Sequence, residues 1–232
     1  MSATPVLDIQ DLRFQRKARD WQLALDALRL APGESVFLHG PSGSGKSTLL
    51  NLVGGTLAPQ QGRLMVCGAD FSALSGAARD RLRADRLGII FQQFNLMPFL
   101  GMVDNVLLPC RFSRRRAQAA TSRFGSPVKA AQALLDRLGL REQTFHAAPV
   151  AELSVGQQQR VAVARALIGA PDLVLADEPT SALDADTRED FLRLLFAECK
   201  SASSALLFVS HDLSLASRFS SQASLSGLKA PA

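Results

Sequence analysis

Eight consecutive residues, Gly40-Pro41-Ser42-Gly43-Ser44-Gly45-Lys46-Ser47, carry the chemistry of a triphosphate grip and fit the pattern G-x-x-x-x-G-K-[ST] in full. Glycines let the backbone curl tightly enough for several N–H groups to point at one anion. A helix opening after Gly45, beginning Lys46-Ser47-Thr48, would add the positive end of its dipole. Lys46 is placed to neutralise the β- and γ-phosphates, and the Ser47 hydroxyl to ligate Mg²⁺.

Two further constellations would extend such a site. Leu173-Val174-Leu175-Ala176 reads as an apolar strand that delivers Asp177 and Glu178 at its C-terminal end, where open α/β sheets bind ligands. Asp177 is placed to hold Mg²⁺ through water and Glu178 to polarise an attacking water. In Leu153-Ser154-Val155-Gly156-Gln157 a serine opens a helix. Such a serine is most often only a cap, but with the N–H groups around Gly156 it could also form an anion site. That second site has no lysine of its own, which points to a nucleotide held by another subunit.

Positioning these residues requires short strands alternating with helices. Strands are predicted at Val6–Ile9, Leu23–Leu25, Ser35–Leu38, Leu64–Val66, Gly88–Phe91, Leu173–Ala176 and Ala205–Val209. Helices are predicted over Lys46–Val53, Val128–Leu140, Gly156–Ile168 and Asp186–Glu198. Apolar strands alternating with helices imply a parallel sheet covered on both faces. Pro98, Pro109 and Pro127 read as loop punctuation, and Ser214–Ala232 as a Ser/Ala-rich tail.

Composition narrows the class. A 232-residue chain with 47% hydrophobic and 20% charged residues is that of a folded domain, and no run approaches a membrane span or a signal peptide. Three isolated cysteines argue against a disulfide framework or a zinc site, so a cytoplasmic location is expected. The net charge of +5 is densest at Arg111, Arg114, Arg115 and Arg116. This cluster reads first as a solvated face or mobile loop, next as a surface near lipid headgroups, and last as a nucleic-acid site. His39 and His146 read as structural.

In order, the motifs resemble those of ABC-type ATPases, the nucleotide-binding subunits of ABC transporters, over nearly the whole chain. Phe91-Gln92-Gln93-Phe94-Asn95-Leu96 is similar to the glutamine loop, Leu153–Gln157 to the signature, Ser181-Ala182-Leu183-Asp184 to the D-loop and Ser210-His211-Asp212 to the switch histidine. The resemblance implies an α/β fold: a P-loop NTPase (RecA-like) core with a small antiparallel β subdomain and an inserted helical subdomain. Residues 1–92 and 151–232 would form the core and 93–150 the helical subdomain. Gln92 would reach the Mg²⁺ and the attacking water, and His211 would contact the γ-phosphate and hold Glu178 and the water in register. Two subunits, expected as a homodimer, would pack head to tail. ATP on Gly40–Thr48 of one would then be completed by Ser154, Gly156 and Gln157 of the other, with Asp184 at the seam. An integral membrane permease would be the partner, at the cytoplasmic face of the inner membrane, and no nucleic acid is expected.

Two departures from the family pattern stand out. Val155 replaces the first glycine of Leu-Ser-Gly-Gly-Gln, which is costly if that position needs φ > 0 and tolerable if it is already helical. There is no tyrosine to stack on adenine, which leaves Phe14, Arg16 and Trp21 as candidates. The stretch Arg86–Pro98 and its continuation to Pro109 are similar to the lipoprotein-release and macrolide-export subgroup. A regulatory ATPase of the cell-division type, driving a non-transporting membrane partner, is the alternative.

Overall fold

A computed structural model describes residues 4–15, 22–140, 149–181 and 183–225. Its elements follow from two sheets. Strands β1 (Leu7–Gln15), β2 (Gln22–Leu30), β4 (Gln61–Val66) and β5 (Ala69–Asp70) form an antiparallel sheet of order β2-β1-β4-β5. Strands β3 (Ser35–His39), β6 (Leu87–Ile90), β7 (Leu173–Asp177), β8 (Ala205–Val209) and β9 (Ser221–Ser224) form a sheet of order β6-β7-β8-β3-β9, with every pairing parallel. The helices are α1 (Lys46–Val53), α2 (Gly76–Arg86), α3 (Met102–Phe112), α4 (Arg114–Phe124), α5 (Pro127–Arg137), α6 (Val155–Leu167) and α7 (Ala185–Ala202).

The period-2 alternation of the parallel strands divides the core in two. Phe37, Val174, Ala176, Leu206 and Phe208 face one apolar cluster with residues of α3, α5, α6 and α7. Leu38, Leu173, Leu175, Leu207 and Val209 face the other, shared with α1 and the antiparallel sheet. Helix α6 lies so close to β6 that a Cβ on Gly88 would stand 2.4 Å from the Ala166 carbonyl oxygen. Only glycine fits that crossing.

Several elements differ from the sequence expectations. The run Ser221–Ser224, read as part of a polar tail, is a strand because the β3 edge offers it parallel partners from Val36 to His39. Pro109 lies inside α3 rather than in a loop. Helix α2 buries no residue, so it lacks the apolar periodicity by which a helix is found in sequence.

The arginine cluster is neither a loop nor simply a solvated face. It spans the junction of α3 and α4, where Ser113 caps α4 and bonds the Asp85 carboxylate at 2.5 Å. Arg115 pairs with Asp172, and Arg111 with Asp104. Arg116 is 2% exposed and donates to the carbonyl oxygens of Ile168 (2.7 Å), Leu87 (3.1 Å) and Ala166 (2.5 Å). Burial lowers its pKa to about 10, which leaves it protonated at neutral pH. One guanidinium thus fastens α4 to the end of α6 and the start of β6. Arg116→Met should strand three buried carbonyls and cost about 3 kcal/mol or more in urea unfolding. A loss below about 1 kcal/mol would show that these bonds do not hold the helices to the sheet.

Candidate functional site

The site is assembled where the parallel strands end. The phosphate loop leaves β3, and Gly43 and Gly45 take φ of 77° and 99°, the left-handed region that glycine enters without strain. Gly45 is also the N-cap of α1 and has no side chain to cap it, so the first-turn N–H groups are left for an anion. The Lys46 Nζ spans the loop and donates to the Gly40 (2.8 Å) and Pro41 (3.1 Å) carbonyls. Ser44 Oγ is buried without a hydrogen-bond partner and packs against the start of the loop, 2.8 Å from where a Cβ on Gly40 would stand. These features fit a polyphosphate.

Asp177 ends β7 and Glu178 follows it. Ser47 and Asp177 line one cavity beside the phosphate loop, bringing together two hard oxygen donors of the kind Mg²⁺ selects. Burial, with the charge of Glu178, raises the Asp177 pKa, while the nearby Ser47 hydroxyl and the Lys46 charge oppose the shift. Glu178 has φ of 46°, a strained setting for a non-glycine residue. Its N–H donates to Val209 O at 2.9 Å, and the Ser181 hydroxyl donates to its carbonyl at 3.0 Å. His211, just past β8, sets Nδ1 2.8 Å from Glu178 Oε2. The carboxylate is only 14% exposed, so the imidazole is positioned to orient it.

Ser154 is the N-cap of α6, and its side chain accepts the Gln157 N–H while Gln157 Oε1 accepts the Ser154 N–H, a reciprocal capping box. Val155 is the first helical residue and is not among the positive-φ residues, so the helical alternative applies and valine is unstrained there. Gly156 lies beside Thr187, and Asp184, the N-cap of α7, accepts the Thr187 N–H and hydroxyl, which hold its carboxyl below the usual carboxylate range. Gln92 is exposed two residues beyond Ile90, whose register partner is Ala176 in β7. Within the described residues no hydrogen bond joins the Ser154 group to the phosphate loop.

Other sequence expectations change. Phe14 is buried in the β-sheet core, so it is packing rather than a free face for a base, while Arg16, Trp21 and His146 lie outside the described residues. His39 stacks on Phe37 at 6.0 Å, in keeping with a structural role. Burial raises the Cys67 and Cys199 thiols to about 12, which makes them poor nucleophiles. Sequence reading missed two supports. Gln159, buried in α6, donates to the Pro179 carbonyl next to Glu178. Arg188 joins the Leu183 carbonyl to the Asp212 carboxylate. A polar residue on a helix has no signal that separates such a brace from a solvated face.

Residues 25–181 match the family described as ABC transporter. The chain belongs to that family. It is 40% identical over 219 residues to the lipoprotein-releasing system ATP-binding protein LolD of Pseudomonas fluorescens, covering 93% of this chain and 92% of that one. It is 42% identical over 189 residues to the macrolide export ATP-binding/permease protein MacB of Sodalis glossinidius, covering 82% of this chain and 27% of that longer protein. Among solved structures it superposes with a TM-score of 0.79 and 34% identity on a dimeric, post-hydrolysis ATP-binding cassette, MJ0796, bound to ADP and Pi; the match covers 95% of this chain and 94% of that one. This member of the ABC transporter family is an ATP-binding cassette and an ATPase of α/β fold, with an antiparallel subdomain beside its parallel sheet. Among the described residues no helix is long and apolar enough to cross a membrane.

The raised Asp177 pKa has a measurable consequence. A carboxyl whose pKa is higher in the folded chain favours folding most below its unfolded pKa, and that contribution is lost as pH rises through the folded value. At pH 7 the buried charge therefore works against the fold. Asp177→Asn should raise the thermal midpoint of the nucleotide-free protein at pH 7, and the gain should shrink as pH falls towards about 4. An equal midpoint at pH 7 would mean that Asp177 carries no burial strain.

Proposed function

We propose that two copies of this cassette bind ATP between them, hydrolyse it, and drive an integral membrane permease from the cytoplasmic face of the inner membrane. The observation that carries this is the Glu178–His211 pair, set beside Asp177 and the phosphate loop. In this reading the loop from Gly40 to Thr48 (Pro41, Ser42, Gly43, Ser44, Gly45, Lys46 and Ser47 between them) holds the triphosphate through its N–H groups and the Lys46 ammonium. Glu178 aligns a water for attack on the γ-phosphorus, and His211 holds the Glu178 carboxylate in place through Nδ1–H. Ser47, Asp177 and Gln92 would hold Mg²⁺, which supplies positive charge against the β- and γ-oxygens.

The second copy supplies Ser154, Gly156 and Gln157 at the start of α6, an anion-stabilising helix end, and Asp184 lies at the seam. The likeness to dimeric cassettes supports a site shared between subunits, and among the described residues no hydrogen bond ties the Ser154 group to the phosphate loop of its own chain. Segment 93–150 is assigned to the lobe that meets the permease, and 1–92 with 151–232 to the nucleotide core.

A groove of about 480 Å³ between α2, β6 and α3 supports a docked permease helix. Ile89, Phe91, Leu108, Pro109 and Phe112 line it, and Phe112 is 78% exposed. LolD and MacB relatives support a lipoprotein or other lipophilic cargo, extracted from or exported across the membrane.

Glu178→Gln should keep ATP affinity within a few fold and lower turnover by about a hundredfold or more. Normal hydrolysis by this variant would remove Glu178 from the mechanism. Val155→Gly should change turnover by no more than a few fold, because the position is helical. A gain of about a hundredfold would mean that valine cripples the natural site.

A further inference from the structure

The glutamine loop leaves β6 along a path that its own residues do not favour. Phe94 and Asn95 are consecutive left-handed residues, with φ of 58° and 50°. Asparagine tolerates that region, but a bulky aromatic residue rarely enters it. Local bonds coil the loop: the Phe94 N–H donates to Phe91 O at 3.0 Å and the Asn95 N–H to Gln93 O at 2.6 Å. These bonds leave the Phe94 and Asn95 carbonyls facing α6. There Arg165 meets both, donating from Nη2 to Phe94 O and from Nη1 to Asn95 O, each at 2.6 Å.

The arginine is half-buried, and no ion pair is formed by it among the described residues; its fork is committed to the loop. A planar guanidinium can hold two neighbouring carbonyls in fixed relation, which a single ammonium cannot. Arg165 sits in the last turn of the helix that begins at Val155, about 15 Å along α6 from the signature residues. The loop that presents Gln92 is thus bolted to the helix that presents Ser154 and Gly156.

We propose that Arg165 is a positioning residue for hydrolysis: its two bonds hold the glutamine loop in the strained shape from which Gln92 reaches the reacting centre. The inference rests on the role given to Gln92 above. Arg165 also borders the groove under α3, so the test is run on the purified chain without a permease.

A double-mutant cycle in ATP turnover separates positioning from general stability. Arg165→Lys should lower kcat about tenfold with KM for ATP held within about twofold, because the phosphate grip is untouched. Gln92→Ala should lower kcat at least as far. In the Gln92→Ala background Arg165→Lys should cost less than about twofold, since the group it positions is gone. If Arg165→Lys does not fold, as judged by its thermal unfolding, Arg165→Gln, whose amide reaches one carbonyl, goes through the same cycle. Equal fold-losses in both backgrounds, or a folded Arg165 variant with full kcat, would overturn the proposal. If Gln92→Ala alone left kcat intact, the assignment of Gln92 would fail and take this inference with it. That outcome is distinct from additivity between the two sites.

Discussion

Parallel pairing makes strands that share a sheet end on the same side, and the functional site depends on that constraint more than on any single contact. β7 pairs with β8 and β8 with β3 in continuous parallel register. The segments that follow β3, β7 and β8 therefore emerge side by side as the phosphate loop, Asp177-Glu178 and His211. β6 brings Gln92 to the same edge from the other side of β7. Residues far apart in sequence need no further device to meet. What the edge does need is buried apolar strands on both faces, which the two core clusters supply.

The helical face of the sheet is fixed by polar braces as well as by apolar packing. Arg116 ties α4 to β6 and α6, Arg165 ties α6 to the glutamine loop, and Gln159 ties α6 to the segment carrying Glu178. Each brace ends on backbone carbonyls rather than on a carboxylate. Its geometry therefore follows the chain path and holds loops in shapes they would not take alone. Glu178, Phe94 and Asn95 are left-handed residues held in this way. Helix α6 belongs to all three connections, so the element that carries Ser154 is joined to the loop that carries Gln92 and to the segment that carries Glu178.

Much of the site was legible in sequence because its chemistry demands specific residue types at fixed spacing. Glycines at 43 and 45, Lys46, Ser47 and the Asp177-Glu178 pair announce themselves, and the helix Lys46–Val53 and the strand Ala205–Val209 lie where the apolar pattern put them. The pattern failed where tertiary context decides. Ser221–Ser224 becomes a strand because an edge of β3 is open to it, and Pro109 is accommodated within α3. The arginine cluster looked like surface because charge in a sequence says nothing of which carbonyls a guanidinium will find. Val155 left two alternatives open until its backbone was seen to be helical.

The central claim is that the nucleotide site is shared: one chain grips the triphosphate and the second chain's Ser154 end of α6 closes it. Sedimentation of the Glu178→Gln chain, with and without a further Ser154→Arg change, tests this directly when ATP binding is measured on the same samples. The account predicts that ATP converts Glu178→Gln to a stable dimer. Adding Ser154→Arg should leave ATP bound to a monomer, because a bulky cation replaces the closing cap while the phosphate loop is untouched. A dimer that persists in the Ser154→Arg chain, or one that forms equally well without ATP, would contradict it.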